Sequence, residues 1–415
     1  IDGLARERAD VLDAVRRRGA STRGVIARET ELGRAVIAQR LSELIAAGLI
    51  VDSGLEQSTG GRPPRQLRFQ AEAGYVLVAD LGATSIDVAA SDLSGRLVHH
   101  RAEPADIGHG PDAILGRVEA LFDALRQEPA LRQRSLWGIG VGVPGPVEFA
   151  TGRPVSPPIM PGWDDYPIRE RLGDRYAAPV WIDNDVNVMA LGERAEGAAQ
   201  GYENVIFVKL GTGIGAGLIS HGNLHRGARG CAGDVGHIQV VADPALVCRC
   251  GKIGCLEAIA GGATLARAAE RLAQDGQSPR LADRLAAHGV LTAADLTDAA
   301  RHGDTASIEL LQQSGRLIGK MLATAVNLFN PSLIVIGGGV AGAGDLLMSG
   351  IREVVYGRSL PLATRDLLIQ QSSLGGRAGV IGAAAMALDE LFAYERLSRW
   401  LEAGSPAGHP ELALV

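Results

Sequence analysis

Lysine is nearly missing from this chain: of 41 basic residues only Lys209, Lys252 and Lys320 are lysine, and the rest are arginine. That bias points to a GC-rich coding sequence and excludes no function. Long apolar runs are missing too. None reaches the roughly eighteen residues that a membrane span needs, and no charged-then-apolar leader opens the sequence, so a cytoplasmic protein is expected. Cysteine is scarce, at four in 415 residues, which excludes a disulfide-built scaffold and fits a reducing compartment. A strong positive charge is lacking as well. The net charge of −6 argues against a molecule that meets a polyanion over its whole surface. What remains is a long chain with 46% hydrophobic and 21% charged residues. That is material for two or three folded domains.

The charge is unevenly spread. Residues 1–70 hold twelve Arg against nine Asp or Glu, which makes a head of +3 on a body of −9. Only the head is therefore suited to a polyanion. Its pattern predicts three short helices. Residues 4–18 carry Leu4, Val11, Leu12 and Val15 at helical spacing, with Arg16, Arg17 and Arg18 in the last turn and Gly19 as the stop. Ser21 or Thr22 caps a second helix over 22–29. A third, over 34–47, turns Val36, Ile37, Leu41, Leu44 and Ile45 inward. Residues 49–51 and 66–69 then read as two strands around a polar hairpin. Three helices and a hairpin make a winged helix-turn-helix, whose third helix enters the major groove. Its polar face offers Arg34, Gln39, Arg40 and Ser42, and Arg and Gln are the side chains best shaped for guanine and adenine edges. Arg62 and Arg65 in the wing add charge beside Gly60 and Gly61. The competing reading is a head for protein contacts with a solvated arginine face.

The most specific stretch lies far downstream. Cys248, Cys250 and Cys255 fall within eight residues, and His237 stands eleven positions before the first of them. Three thiolates and an imidazole fill the four positions of a closed, structural Zn²⁺ site. A disulfide with stray thiols is the alternative, and the spacing of Cys248 and Cys250 suits it poorly. The run Gly236-His237, then Cys-x-Cys-Gly-x-x-Gly-Cys-x-Glu ending at Glu257, resembles the zinc signature of the ROK family of sugar-responsive repressors and sugar kinases.

Other blocks extend the resemblance, and with it a set of expectations. The wing, 59–65, is similar to the Gly-Gly-Arg-Pro wing of ROK repressors. Asp80, Gly82 and Thr84 match the first phosphate loop of the sugar kinase and actin architecture, although Ala83 and Ser85 depart from the kinase pattern. Gly142 to Pro146 resembles the block that backs the sugar pocket, and 161–163 matches the family's Gly-Trp turn, with Ile159 where glucokinases commonly carry Asn. By resemblance Asn184 and Asp185 bind sugar hydroxyls, and in a kinase Asp185 is the general base. Gly211, Thr212, Gly213 and Gly215 form a second glycine loop, and Gly337, Gly338 and Gly339 resemble the adenosine-binding block. Asp234 replaces the family's Glu before Gly-His; with His237 and Glu257 it completes the implied sugar contacts. His237 then serves both zinc and ligand.

The expectation is an α/β protein: a winged helix-turn-helix at 1–72, then a two-lobed actin-like ATPase/sugar kinase (ribonuclease H-like) fold with a structural zinc site. The lobes are expected at 73–184 and 185–403, and a flexible tail at 404–415. The resemblance and the head imply a sugar-responsive regulator, a repressor in the family's own terms, with operator DNA, a sugar or sugar phosphate, and further copies of itself as partners. The alternative is an ATP-dependent, Mg²⁺-requiring sugar kinase carrying a DNA-binding head.

Overall fold

In the computed structural model, residues 2–55 and 65–414 are described. The head opens with α1 (Asp2–Arg16), which buries Val11, Leu12 and Val15. β1 (Ala20–Thr22) follows, and Thr22 caps α2 (Arg23–Thr30) by accepting from the Val25 amide at 3.4 Å. α3 (Arg34–Ala46) adds Ile37, Leu41 and Leu44 to the same core. β2 (Ile50–Leu55) and β3 (Arg65–Phe69) pair antiparallel with Ile50 opposite Phe69, and β1 pairs with the other edge of β3. Residues 56–64, and with them Arg62 and the wing glycines, lie outside the described residues.

Two lobes repeat one strand pattern. In the first, β4 (Gly74–Leu81), β5 (Ser85–Asp92) and β6 (Leu97–Pro104) run antiparallel to one another in turn. α4 (Pro111–Arg126) leads to β7 (Ser135–Val143), parallel to β4. Beyond the short pair β8 (Val147–Glu148) and β9 (Arg153–Pro154), α5 (Ile168–Tyr176) leads to β10 (Val180–Asn184), parallel to β7. α6 (Asp185–Glu196) crosses to the second lobe. There β11 (Val205–Leu210), β12 (Ile214–Ser220) and β13 (Asn223–Leu224) form the antiparallel part. A helical block, α7 (Glu257–Ala260), α8 (Gly262–Gln274), α9 (Pro279–His288), α10 (Ala293–Arg301) and α11 (Thr305–Phe329), precedes β14 (Leu333–Gly337). α12 (Asp345–Arg358) and α13 (Pro361–Thr364) precede β15 (Leu368–Gln371). The orders β10-β7-β4-β5-β6 and β13-β12-β11-β14-β15 are the same topology written from opposite edges. The central strands are buried on both faces, which is why they read as continuous apolar runs.

The chain then returns to where it began. α14 (Ala378–Leu391) packs along α6 and across β4 and β7. Glycines allow it: a Cβ on Gly192 would overlap the Ala378 carbonyl, and one on Gly382 the Val188 carbonyl. α15 (Tyr394–Ala403) lies against α1. Phe392 meets Phe69 edge-to-face at 6.0 Å, Trp400 meets Trp137 at 5.3 Å, and Arg16 sits 5.1 Å over the Phe392 ring. Head and first lobe thus share one apolar core.

Residues 378–403 pack on α6, the helix that opens the expected second lobe, and also reach back to the first lobe and the head. The tail is not frayed. Leu412 and Ala413 are buried, and Arg396 Nε donates to the Leu412 carbonyl at 3.0 Å. Two apolar residues near the end of a polar segment give it an anchor. Among the described residues no helix is long and apolar enough to cross a membrane.

Candidate functional site

A cavity of about 960 Å³ opens between the lobes, where the turns after β4, β10, β11 and β14 converge. This is the strand-end crevice in which α/β folds bind ligands. It gathers Asp80, Gly82, Thr84, Asn184, Asp185, Asp234, His237 and the turns 211–215 and 337–339, groups scattered over 260 residues of sequence.

Asp80 sits one residue before the end of β4. Its Oδ1 is buried without a hydrogen-bond partner, and a Cβ on Gly379 would overlap its other oxygen. Burial pushes this carboxyl up to about 7, against the opposing pull of Lys209. Asn184 is the N-cap of α6. Its Oδ1 accepts from the Val186 amide at 3.0 Å, and its Nδ2 donates to the Gly145 carbonyl at 2.9 Å, so backbone already holds the side chain in place. Asp185, the first residue of α6 and 3% exposed, forms an ion pair with Lys209 on β11. Burial disfavours the Lys209 charge, but Asp185, Asp80 and Asp87 outweigh it and hold the ammonium above the ordinary lysine range.

The second glycine turn is braced from behind. Glu257 Oε2 accepts from the Ile214 amide at 3.0 Å, and a Cβ on Gly213 would overlap that oxygen. Glu257 lines a side recess with Ile159, Thr212 and Gly213, residues that also line the main cavity. Gly338, at φ +88°, passes against the Leu210 backbone and permits no side chain.

His237 ends a short turn (Val235–His237) at the cavity wall. Its Nδ1 is 3.5 Å from Cys248 Sγ, and its Nε2 faces the other way, 3.9 Å from Asp234 Oδ1. Cys250 and Cys255 bring their sulfurs to 3.8 Å of each other. The four donor atoms lie within 4.8 Å of one another, a soft set able to hold a metal ion. Gly251 and Gly254, both at positive φ, turn the chain so that Cys255 rejoins the pair. Cys231 is exposed and apart from the group.

On the head, Arg34, Gln39 and Ser42 are exposed along α3. Arg40 is not. It is 5% exposed, with Nε 3.2 Å from Glu7 and Nη1 2.6 Å from Glu43, and it ties α3 to α1. Its place as a base-reading residue is corrected, since position 40 shares the helix face of Ile37, Leu41 and Leu44. Arg65 is exposed at the hairpin base, 2.7 Å from Asp52.

Two residues of this region escape sequence reasoning. Arg226 Nε lies 2.6 Å from the buried Asp183, and its guanidinium is 3.7 Å over the Phe149 ring, with no sequence signal to announce it. Lys209 had one: a lysine at the mouth of a glycine turn, in a chain with only three lysines.

Among known proteins, the xylose repressor of Caldicellulosiruptor bescii is 30% identical over 375 residues, covering 90% of this chain and 93% of its own. A glucokinase of Halalkalibacterium halodurans is 35% identical over 303 residues, covering 73% of this chain and 92% of its own. The crystal structure of a ROK family transcriptional regulator, a homologue of the E. coli MLC protein, superposes with a TM-score of 0.83 at 27% identity, covering 97% of this chain and all of that one. A family model also matches residues 76–390, from the third residue of β4 to the last turn of α14, and the chain belongs to the ROK family.

Proposed function

We propose that the chain is a sugar-responsive transcriptional regulator, a repressor of carbohydrate-utilisation genes, with its effector bound in the interlobe cavity. The observation that carries the reading is the head: a winged helix-turn-helix in outline, docked on the body through a shared core, with α3 turned to solvent. Arg34, Gln39 and Ser42 read the operator, and Arg65 with Arg62 contacts its backbone. Asn184, Asp185, Asp234, His237 and Glu257 meet the sugar, and the hydrogen bonds of Asn184 and Glu257 to backbone also brace the walls. His237, Cys248, Cys250 and Cys255 suit Zn²⁺, which would fix the loop carrying His237 and leave no position open for chemistry. A pair of copies reads two half-sites, as helix-turn-helix proteins commonly do. The protein works in the cytoplasm.

The rival reading is an ATP-dependent sugar kinase with an attached head. It rests on Asp185 as base and on Asp80, Thr84 and the glycine turns as the seat of Mg²⁺ and nucleotide. One experiment separates the two. Fluorescence anisotropy on the chain's own upstream DNA is followed while a panel of sugars is added, with ATP assayed in the same samples. Specific DNA binding that one sugar weakens, with ATP intact, is the expected result. ATP consumption at an ordinary enzymatic rate with that sugar overturns the reading.

A further inference from the structure

We infer that Lys209 is a built-in cation that takes the electrostatic place of Mg²⁺ in the cleft, so that the site senses sugar without transferring phosphate. The inference rests on the regulator reading and extends it to a single residue.

Phosphoryl transfer in a cleft of this kind needs two things from its carboxylates. One accepts the proton of the attacking hydroxyl as the new O–P bond forms and the bond to the departing ADP oxygen breaks; the others hold a hydrated divalent cation against the phosphates. Here Asp185 does neither freely, because one of its oxygens is engaged by the Lys209 ammonium. The same ammonium faces Asp80 and Asp87 across the cavity wall. Asp87 is opposite Asp80 in the β4–β5 pairing and has His100 Nε2 at 3.1 Å. A Mg²⁺ ion requires near-octahedral oxygens and keeps several waters. Beside an ammonium it would meet like charge at the carboxylates it needs. The backbone of Lys209 is held in a strand paired on both sides, opposite Gly215 and Gly337, and the ion pair with Asp185 holds its ammonium. The site carries its own counter-ion.

The test uses Mg²⁺ and ATP on the full chain and on Lys209→Met, which keeps the apolar stem and removes the charge. Calorimetric titration of wild type should give the same ATP affinity with and without Mg²⁺, and Mg²⁺ alone should leave its melting temperature unmoved. In Lys209→Met, Mg²⁺ alone should raise the melting temperature, and ATP should bind about tenfold or more tighter when Mg²⁺ is present. Wild-type ATP affinity that rises about tenfold with Mg²⁺ overturns the inference whether or not the variant folds. So does wild-type turnover of ATP with a sugar that Lys209→Met abolishes, which would make Lys209 a catalytic group. Operator binding by wild type is scored separately. Its loss would sink the regulator reading and leave the cation result standing.

Discussion

Arg40 shows how one side chain on α3 divides stability from recognition. Its guanidinium bridges Glu7 and Glu43 beneath the surface. Arg40→Ala leaves Glu7 without its partner and Glu43 with Arg8 alone, and a loss of about 2 kcal/mol in urea unfolding is expected. Gln39→Ala, one position earlier and exposed, should change stability by less than about 0.5 kcal/mol. It should weaken operator binding by roughly tenfold or more at a single base position; equal behaviour of the two variants in both assays would contradict the division. Asp80 makes a pH prediction. Its folded-state value of about 7 lies above the unfolded 3.8, so folding favours the protonated carboxyl. That contribution is complete below about pH 4 and is lost as pH rises through 7. Asp80→Asn removes the dependence, and should become more stable relative to wild type across this window by an amount of the order of a few kcal/mol. Unfolding midpoints of the two proteins, compared point by point in pH, check it.

At the scale of elements, the cysteine-rich loop and the tail carry the predictions. Cys250→Ser, or a chelator on wild type, should free the loop between Asp234 and Cys255. Sugar affinity should then fall by about tenfold or more, while sugar-free protein still binds operator; metal content and sugar titration on one sample decide. Leu412→Ala should cost about 2–4 kcal/mol, because its side chain fills the core shared with Trp400. A frayed tail would give no change on unfolding. The central strands were readable in advance, since burial on both faces writes long apolar runs bounded by glycine. β1, β13 and β15 were not: they have two to four residues each, and their pairing comes from neighbours distant in sequence. The site was half readable for a related reason. Motifs placed Asp80, Asp185 and His237 at one cleft, but side-chain direction at Arg40 and Glu257 depends on partners far along the chain. Lys209 matters only because the fold brings it to Asp185, 24 positions away.

Over the whole molecule, the cleft and the head are joined by protein rather than by a linker. Asp389 on α14 receives Arg16 from the head at 3.3 Å and Arg194 from α6 at 3.2 Å. Asp389→Asn loses exposed pairs and should cost less than about 1 kcal/mol. It should nevertheless blunt the sugar's effect on operator affinity, leaving binding by the sugar-free protein close to wild type. An unaltered sugar response would place the coupling elsewhere. The geometry of α14 sets the scale of what a ligand can do. The helix has Gly379 against Asp80 at one end and Asp389 and Phe392 against the head at the other. Its 14 residues span about 21 Å. Pivoted at the cleft, such a rod carries its far end about 2 Å for a tilt of only about 5°, the size of the helix shifts seen at switching interfaces. A closure too small to notice at the sugar is then a change of reach at the DNA.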